Sequence, residues 1–102
     1  MIEPSISKPL HKILFQLTGE PRFELALQLA TKDLLRLKLM EAEQEGKVFT
    51  NKYSMTFDEF KRAWESDQIP DRYSYEVEKD FHEWEATQTD SVRLREMLDQ
   101  LP

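Results

Sequence analysis

Residues 52–85 read KYSMTFDEFKRAWESDQIPDRYSYEVEKDFHEWE, a segment that combines aromatic side chains at helical spacing with ten carboxylates. Phe57, Phe60 and Trp64 share one face of a predicted helix, because residues three and four apart are neighbours on a helix surface. A second helix has a comparable stripe, made of Tyr73, Val77, Phe81 and Trp84. Aromatic stripes most often form a core, although tyrosine and tryptophan are also favoured interface anchors. The segment therefore predicts two packed helices, with Tyr75 outside the stripe.

Local signals place the ends of these two helices. Thr56 and Glu59 have the spacing of a capping box, so the first helix begins at Phe57, and it is expected to end near Ser66 before Pro70. Ser74 is a suitable cap for the second, which is predicted from residue 75 to at least residue 86.

Residues 87–91 favour helix weakly, so either a weak helical segment or a bend is expected there. The apolar stripe then resumes and is predicted to dock against an earlier long helix; it consists of Val92, Leu94, Met97, Leu98 and Leu101.

The N-terminal half predicts a short helix followed by a long one. Residues 1–6 are expected to be a frayed end, Ser7 to cap a helix over residues 8–18, and Gly19 to stop it. The long helix is predicted from Pro21 to about Val48, with Gly46 weakening its end. Asn51 is the candidate for the left-handed residue that terminates it. The spacing of a coiled-coil seam predicts dimerisation through Leu27, Ala30, Leu34 and Leu37.

Composition supports a single small helical domain. The 102 residues include only two glycines and five prolines, too few for the many tight turns of an all-β chain. We expect an all-α fold over residues 1–102 in which a long central helix precedes a C-terminal helical hairpin. The expected parts are a short N-terminal helix (1–20), a long dimerisation helix (21–50) and an acidic aromatic region (52–102). Because apolar content is modest, a dimer is a reasonable source of additional stability.

The absence of cysteine excludes disulfides and thiolate metal sites, and favours a reducing cytoplasm. No signal-peptide pattern is visible at the N-terminus. No apolar run approaches the roughly eighteen residues that a membrane span needs. The expected location is therefore cytoplasmic, with no membrane partner.

The negative charge is confined to one part of the chain. The net charge is −6, and residues 56–85 hold ten acidic but only four basic residues, which accounts for the whole imbalance. This face would repel phosphates and attract a basic protein. The predicted partner contacts are Tyr75, Glu76, Asp80 and Glu83. Residues 1–55 carry eight basic and seven acidic residues without a helix-turn-helix signature, so DNA binding by that part is left open.

Enzymatic alternatives have weaker support. His82 follows Glu78 by four residues, but a structural metal site usually needs four ligands. Asp80 with Glu83, and Glu76 with Asp80, have spacings that put two carboxylates on one helix face, as in Mg²⁺-dependent all-α nucleotide hydrolases, but only one convincing pair exists. Serines without a suitable histidine and carboxylate, and two distant glycines, predict neither a nucleophile nor a phosphate loop. No catalytic residue, cofactor or metal site is assigned.

Residues 53–60 (YSMTFDEF), Trp64 and residues 80–85 (DFHEWE) resemble a pattern in small bacterial and archaeal antitoxin-like proteins. That family has tyrosine-glycine-methionine before an acidic helix with phenylalanine, then an acidic helix ending in glutamate-tryptophan. A long helix precedes the pattern there and here, and the match covers about residues 34–86. Ser54 replaces the family's glycine, which adds strain if the position has a positive φ. Residues 67–68 likewise replace a turn that usually contains glycine.

The resemblance implies a non-enzymatic antitoxin that binds and neutralises a basic, RNA-cleaving toxin. Carboxylates of this chain would pair with the basic residues of the toxin that otherwise hold RNA phosphates. Tyr75 or a tryptophan would be the anchor residue in a pocket. Two alternatives remain open: a Mg²⁺-dependent all-α nucleotide hydrolase, and a structural adaptor subunit without an inhibitory role.

Overall fold

The computed structural model describes residues 7–102, which form four helices connected by short segments. The helices are α1 (Lys8–Thr18), α2 (Phe23–Tyr53), α3 (Phe57–Glu65) and α4 (Tyr75–Asp99). No strand occurs among the described residues, and the all-α prediction is confirmed. The expectation of a frayed end falls on residues 1–6, outside the described part of the chain.

The first two helices are separated by a short, locally tied connection. The Ser7 hydroxyl accepts a hydrogen bond from the Leu10 N–H at 3.2 Å, and Gly19 has the left-handed φ of 73° that ends α1. These boundaries are as predicted. The start of α2 is later than predicted, because Arg22 remains extended. The Glu20 carboxylate accepts hydrogen bonds from both the backbone N–H and the Nε of Arg22, and so holds the connection out of the helix.

The end of α2 lies beyond the predicted position. Asn51 is still helical, and the left-handed residue is Ser54, with φ 56° and ψ 37°. Tertiary packing explains the extension, because the Phe49 and Tyr53 rings stack on Trp84 with centroids 5.6 and 6.1 Å apart. The positive φ that would make Ser54 a strained replacement for glycine is thus present, whereas the predicted end at Asn51 is wrong.

α4 is a single helix, so residues 87–91 are the weak helical segment of the two predicted alternatives, and the bend is wrong. The hydroxyls of Thr87, Thr89 and Ser91 donate to carbonyl oxygens four residues earlier, at 2.9–3.0 Å. These weak helix formers therefore satisfy their polar groups without leaving the helix. Thr87 is also buried where α4 crosses Gly46 of α2, so packing keeps this part helical.

The aromatic core is built from three helices. Its buried members are Phe49, Phe60, Ile69, Phe81 and Trp84. The capping box predicted at the start of α3 is present and directs Phe60 into this core. Tyr73 was predicted on the inner stripe but is 74% exposed. It lies in the connection before α4, which begins at Tyr75, so helical spacing does not set its direction. The core thus joins α3 to the second half of α2 and the first half of α4.

The molecule is elongated, and its core lies towards one end. Its principal extents are 57 × 28 × 24 Å, and its radius of gyration is 19.8 Å. A compact domain of this length has a radius of gyration of about 13 Å. The buried residues of α1 and of the first half of α2 are only Leu14 and Ala26. Little apolar surface is therefore covered at the N-terminal end.

Candidate partner-binding site

The acidic face begins at a compact hydrogen-bonded cluster between α2 and α4. Lys52 Nζ donates to Asp80 Oδ2 at 2.6 Å and to Glu76 Oε1 at 2.7 Å. The Tyr53 hydroxyl donates to the same Asp80 oxygen at 2.6 Å. Consecutive residues of α2 thus hold one carboxylate of α4, which fixes the two helices in register.

Protonation equilibria in this cluster follow from burial and hydrogen bonding. Burial alone would raise the pKa of Asp80, but the hydrogen bonds from Lys52 and Tyr53 outweigh it and lower that pKa. Burial, and then the hydrogen bond to Asp80, raises the pKa of Tyr53 to about 12. The hydrogen bonds to Asp80 and, to a smaller extent, to Glu76 raise the pKa of Lys52 above its ordinary range. The cluster is therefore an ionised carboxylate and ammonium with a neutral phenol at neutral pH.

The four predicted contact residues differ in accessibility. Asp80 is only 8% exposed and is engaged within the chain, whereas Tyr75 is 80% exposed. The Glu76 side chain is largely accessible despite its bond to Lys52. Glu83 is also accessible and lies 3.7 Å from Lys79. Three of the four can reach a partner directly, while Asp80 holds the surface that carries them.

A groove on the acidic side joins residues of α2 to residues of α4. It has a volume of about 400 Å³, and it is lined by Glu45, Val48, Phe49, Glu83, Ala86, Thr87 and Asp90. Val48, Phe49 and Ala86 supply apolar surface, and three carboxylates stand among them. Asp90 pairs with Arg93 at 3.2 Å, whereas Glu45 forms no ion pair within residues 7–102. Sequence reasoning assigned only Glu83 of this groove.

Arg72 is another residue that could not be assigned from the sequence. Its guanidinium carbon lies 5.1 Å from the centroid of the Trp64 ring and 5.2 Å from that of Tyr73. Its terminal nitrogen lies 3.7 Å from Asp67, which has a left-handed φ of 56°. Its Nε is buried without a hydrogen-bond partner in the described chain. Arg72 therefore orders the connection before α4. In the sequence, the aromatic residue next to it, Tyr73, is the feature that could have pointed to this role.

The histidines and carboxylates do not assemble into a metal site within residues 7–102, where no group of three or more potential ligands is close enough. His11 lies against the Phe23 ring, with centroids 5.8 Å apart. His82 is exposed and contacts Phe81 edge-on at 5.6 Å.

Comparisons of the chain with protein-family models, curated proteins and solved structures gave no match. The resemblance to antitoxin-like proteins stays a prediction from residues 53–60, Trp64 and residues 80–85. None of the described helices combines the length and the hydropathy needed to cross a membrane.

Proposed function

We propose that this chain is a non-enzymatic binding protein whose acidic α2–α4 surface binds a basic protein. The specific form of this proposal is an antitoxin that neutralises an RNA-cleaving toxin, as the resemblance implies. The observation that carries it is the groove that Val48, Phe49 and Ala86 line together with Glu45, Glu83 and Asp90. A flat acidic surface would attract cations without selecting a side chain, whereas this groove has two chemically distinct parts.

The two parts of the groove match the two parts of an arginine or lysine side chain. The aliphatic stem of such a residue would lie against Val48, Phe49 and Ala86, and its charged head would lie among the carboxylates. Arginine is the better fit, because its guanidinium is weakly hydrated and bonds to carboxylates in a bidentate manner. A basic side chain that normally holds RNA phosphate would then be occupied.

The first turn of α4 supplies a second group of contacts. Tyr75 presents a nearly free aromatic ring, and Glu76 and Glu78 are exposed beside it. An exposed tyrosine is a favoured anchor in interfaces. Asp80 has a positioning role in this proposal, since it neutralises Lys52, a cation that would otherwise weaken attraction of a basic partner.

The proposal includes the untested parts of the architecture. We infer that α3 and α4 act as a helical hairpin, that two copies associate through Leu27, Ala30, Leu34 and Leu37, and that the protein acts in the cytoplasm. A structural adaptor without inhibitory activity would use the same acidic surface. Loss of nuclease activity on binding separates the antitoxin from the adaptor.

The test is copurification with the product of the neighbouring gene, followed by titration calorimetry and an RNA-cleavage assay. A basic ribonuclease should copurify and lose activity in the complex. Glu83→Lys should weaken binding at least tenfold, because it places a cation in the groove, whereas Asp99→Lys makes the same charge change at the far end of α4 and should bind normally. A solitary protein that leaves such a nuclease active contradicts the proposal. Equal affinities of the two variants contradict the groove assignment.

A further inference from the structure

The N-terminal end of the molecule carries an uncovered apolar face. Its exposed apolar residues include Phe15, Leu29 and Met40, and two regular stripes: Leu10, Ile13 and Leu17 on α1, and Leu27, Leu34 and Leu37 on α2. The six residues of the two stripes are 45–75% exposed. Within each stripe the spacings are those of one helix face. The face is therefore continuous along each helix.

The amount of exposed apolar surface is as large as the largest patches that monomeric proteins normally carry. The six fractions correspond to roughly 600 Å² of apolar surface, the upper end of the largest patch on a typical monomer. A stable interface buries about 800 Å² on each partner, and the polar rim around a patch supplies the remainder. The face is thus close to the size that a specific dimer requires.

Charge distribution distinguishes among the possible occupants of this face. Residues 8–37, which hold both stripes, carry five basic and three acidic residues, so each such surface has a net charge of +2 and two of them repel only weakly at physiological salt. The excess negative charge lies instead in residues 56–85. A basic partner is therefore directed to the acidic face, and the apolar face, whose net charge is small and positive, is left for a second copy of this chain.

We infer that two copies of this chain pair through the α1 and α2 stripes, each contributing two helices to a four-helix interface. The interface includes Leu10, Ile13 and Leu17 of α1, and so extends the seam predicted on α2 alone. A two-fold axis makes such a face self-complementary, because each stripe meets residues of the same apolar type. The pairing covers the sparsely packed end of the 57 Å molecule and leaves both acidic surfaces free.

Sedimentation equilibrium of the full chain between about 1 and 100 μM tests the inference in the concentration range of ordinary dimers. The expected mass is twice the 12.2 kDa of one chain. Leu17→Lys and Leu34→Lys should each shift the protein to the monomer. Val92→Lys alters a residue that is 56% exposed on the α3 side of α4, and it should remain dimeric. A monomeric wild type, or dimeric lysine variants, overturns the inference.

A second measurement avoids dependence on the folding of the lysine variants. Since the chain has no cysteine, Leu17→Cys and Val92→Cys each carry a single spin label without other changes. Dipolar broadening between two copies is expected at residue 17 and not at residue 92. Absence of broadening at residue 17 in the folded protein overturns the inference. Titration of the basic partner is a separate readout, and monomeric variants should still bind it.

Discussion

Replacing Gly46 by alanine should stabilise the protein, although Gly46 is buried in the contact between α2 and α4. A Cβ atom added at this position would lie 3.6 Å from Thr87 Cγ2 and 3.7 Å from Gln88 Nε2. Both are ordinary van der Waals distances, so the methyl group fits without movement of α4. Gly46 is also helical, so alanine introduces no backbone strain.

The magnitude follows from helix propensity and from the space available. Glycine inside a helix costs about 1 kcal/mol relative to alanine, chiefly through the greater conformational freedom of the unfolded chain. Burial of the added methyl group contributes up to about 0.8 kcal/mol. We therefore expect Gly46→Ala to raise the free energy of unfolding by about 1–1.5 kcal/mol. For a domain of this size, each kcal/mol raises Tm by roughly 4–8 °C.

Thermal unfolding followed by circular dichroism measures the effect, with all proteins at one concentration because self-association also stabilises. Gly19→Ala is the matched control. A Cβ at Gly19 would meet nothing within 4 Å, but its φ of 73° disfavours alanine. This control should lose about 1 kcal/mol through strain alone. Destabilisation by Gly46→Ala would refute the reasoning, since it would require a closer approach of α4 to α2.

Two further substitutions test the Asp80 cluster and the end of α2. The folded-state pKa of Asp80 is lowered, so its contribution is present above its unfolded value of about 4 and is lost as pH falls through the folded pKa. Asp80→Asn should lower the free energy of unfolding by about 1.5–3 kcal/mol at neutral pH. In urea titrations, the variant should also lose less stability than the wild type as the pH falls below about 4. The same pH dependence in both proteins would contradict this. Ser54→Gly should add about 0.5–1 kcal/mol by relieving the left-handed strain, and a lower Tm would show that the serine side chain has another role.

The starts of α1, α3 and α4 could be predicted because their signals are local, whereas α2 starts at Phe23 without a side-chain cap and was predicted too early. Ser7, Thr56 and Ser74 each cap through a hydrogen bond to a residue three positions later, and Gly19 ends α1 by its own conformation. The end of α2 and the continuity of α4 could not be predicted in this way. Both depend on packing between the two helices, including the contact of Phe49 and Trp84, which lie far apart in sequence.

The candidate site shows the same division. The exposure of Tyr75 follows from its position outside the aromatic stripe, so the sequence was sufficient for it. The burial of Asp80 depends on Lys52 and Tyr53, which are 28 and 27 residues away. Glu45 belongs to a groove because α4 packs beside α2, and the sequence does not reveal that packing. Spacing along one helix cannot supply a site formed between two.

The continuity of α2 has a consequence for how its backbone opens. This 31-residue helix passes from a sparsely covered half into the aromatic core without interruption. The rate at which its amide hydrogens exchange with solvent should therefore fall along the helix. Those near Leu34 exchange through local opening, and those near Phe49 exchange only when the whole core unfolds. Pairing of two copies would slow exchange in the first half and leave the second half unchanged. A single helix thereby reports both association and folding, each at its own end.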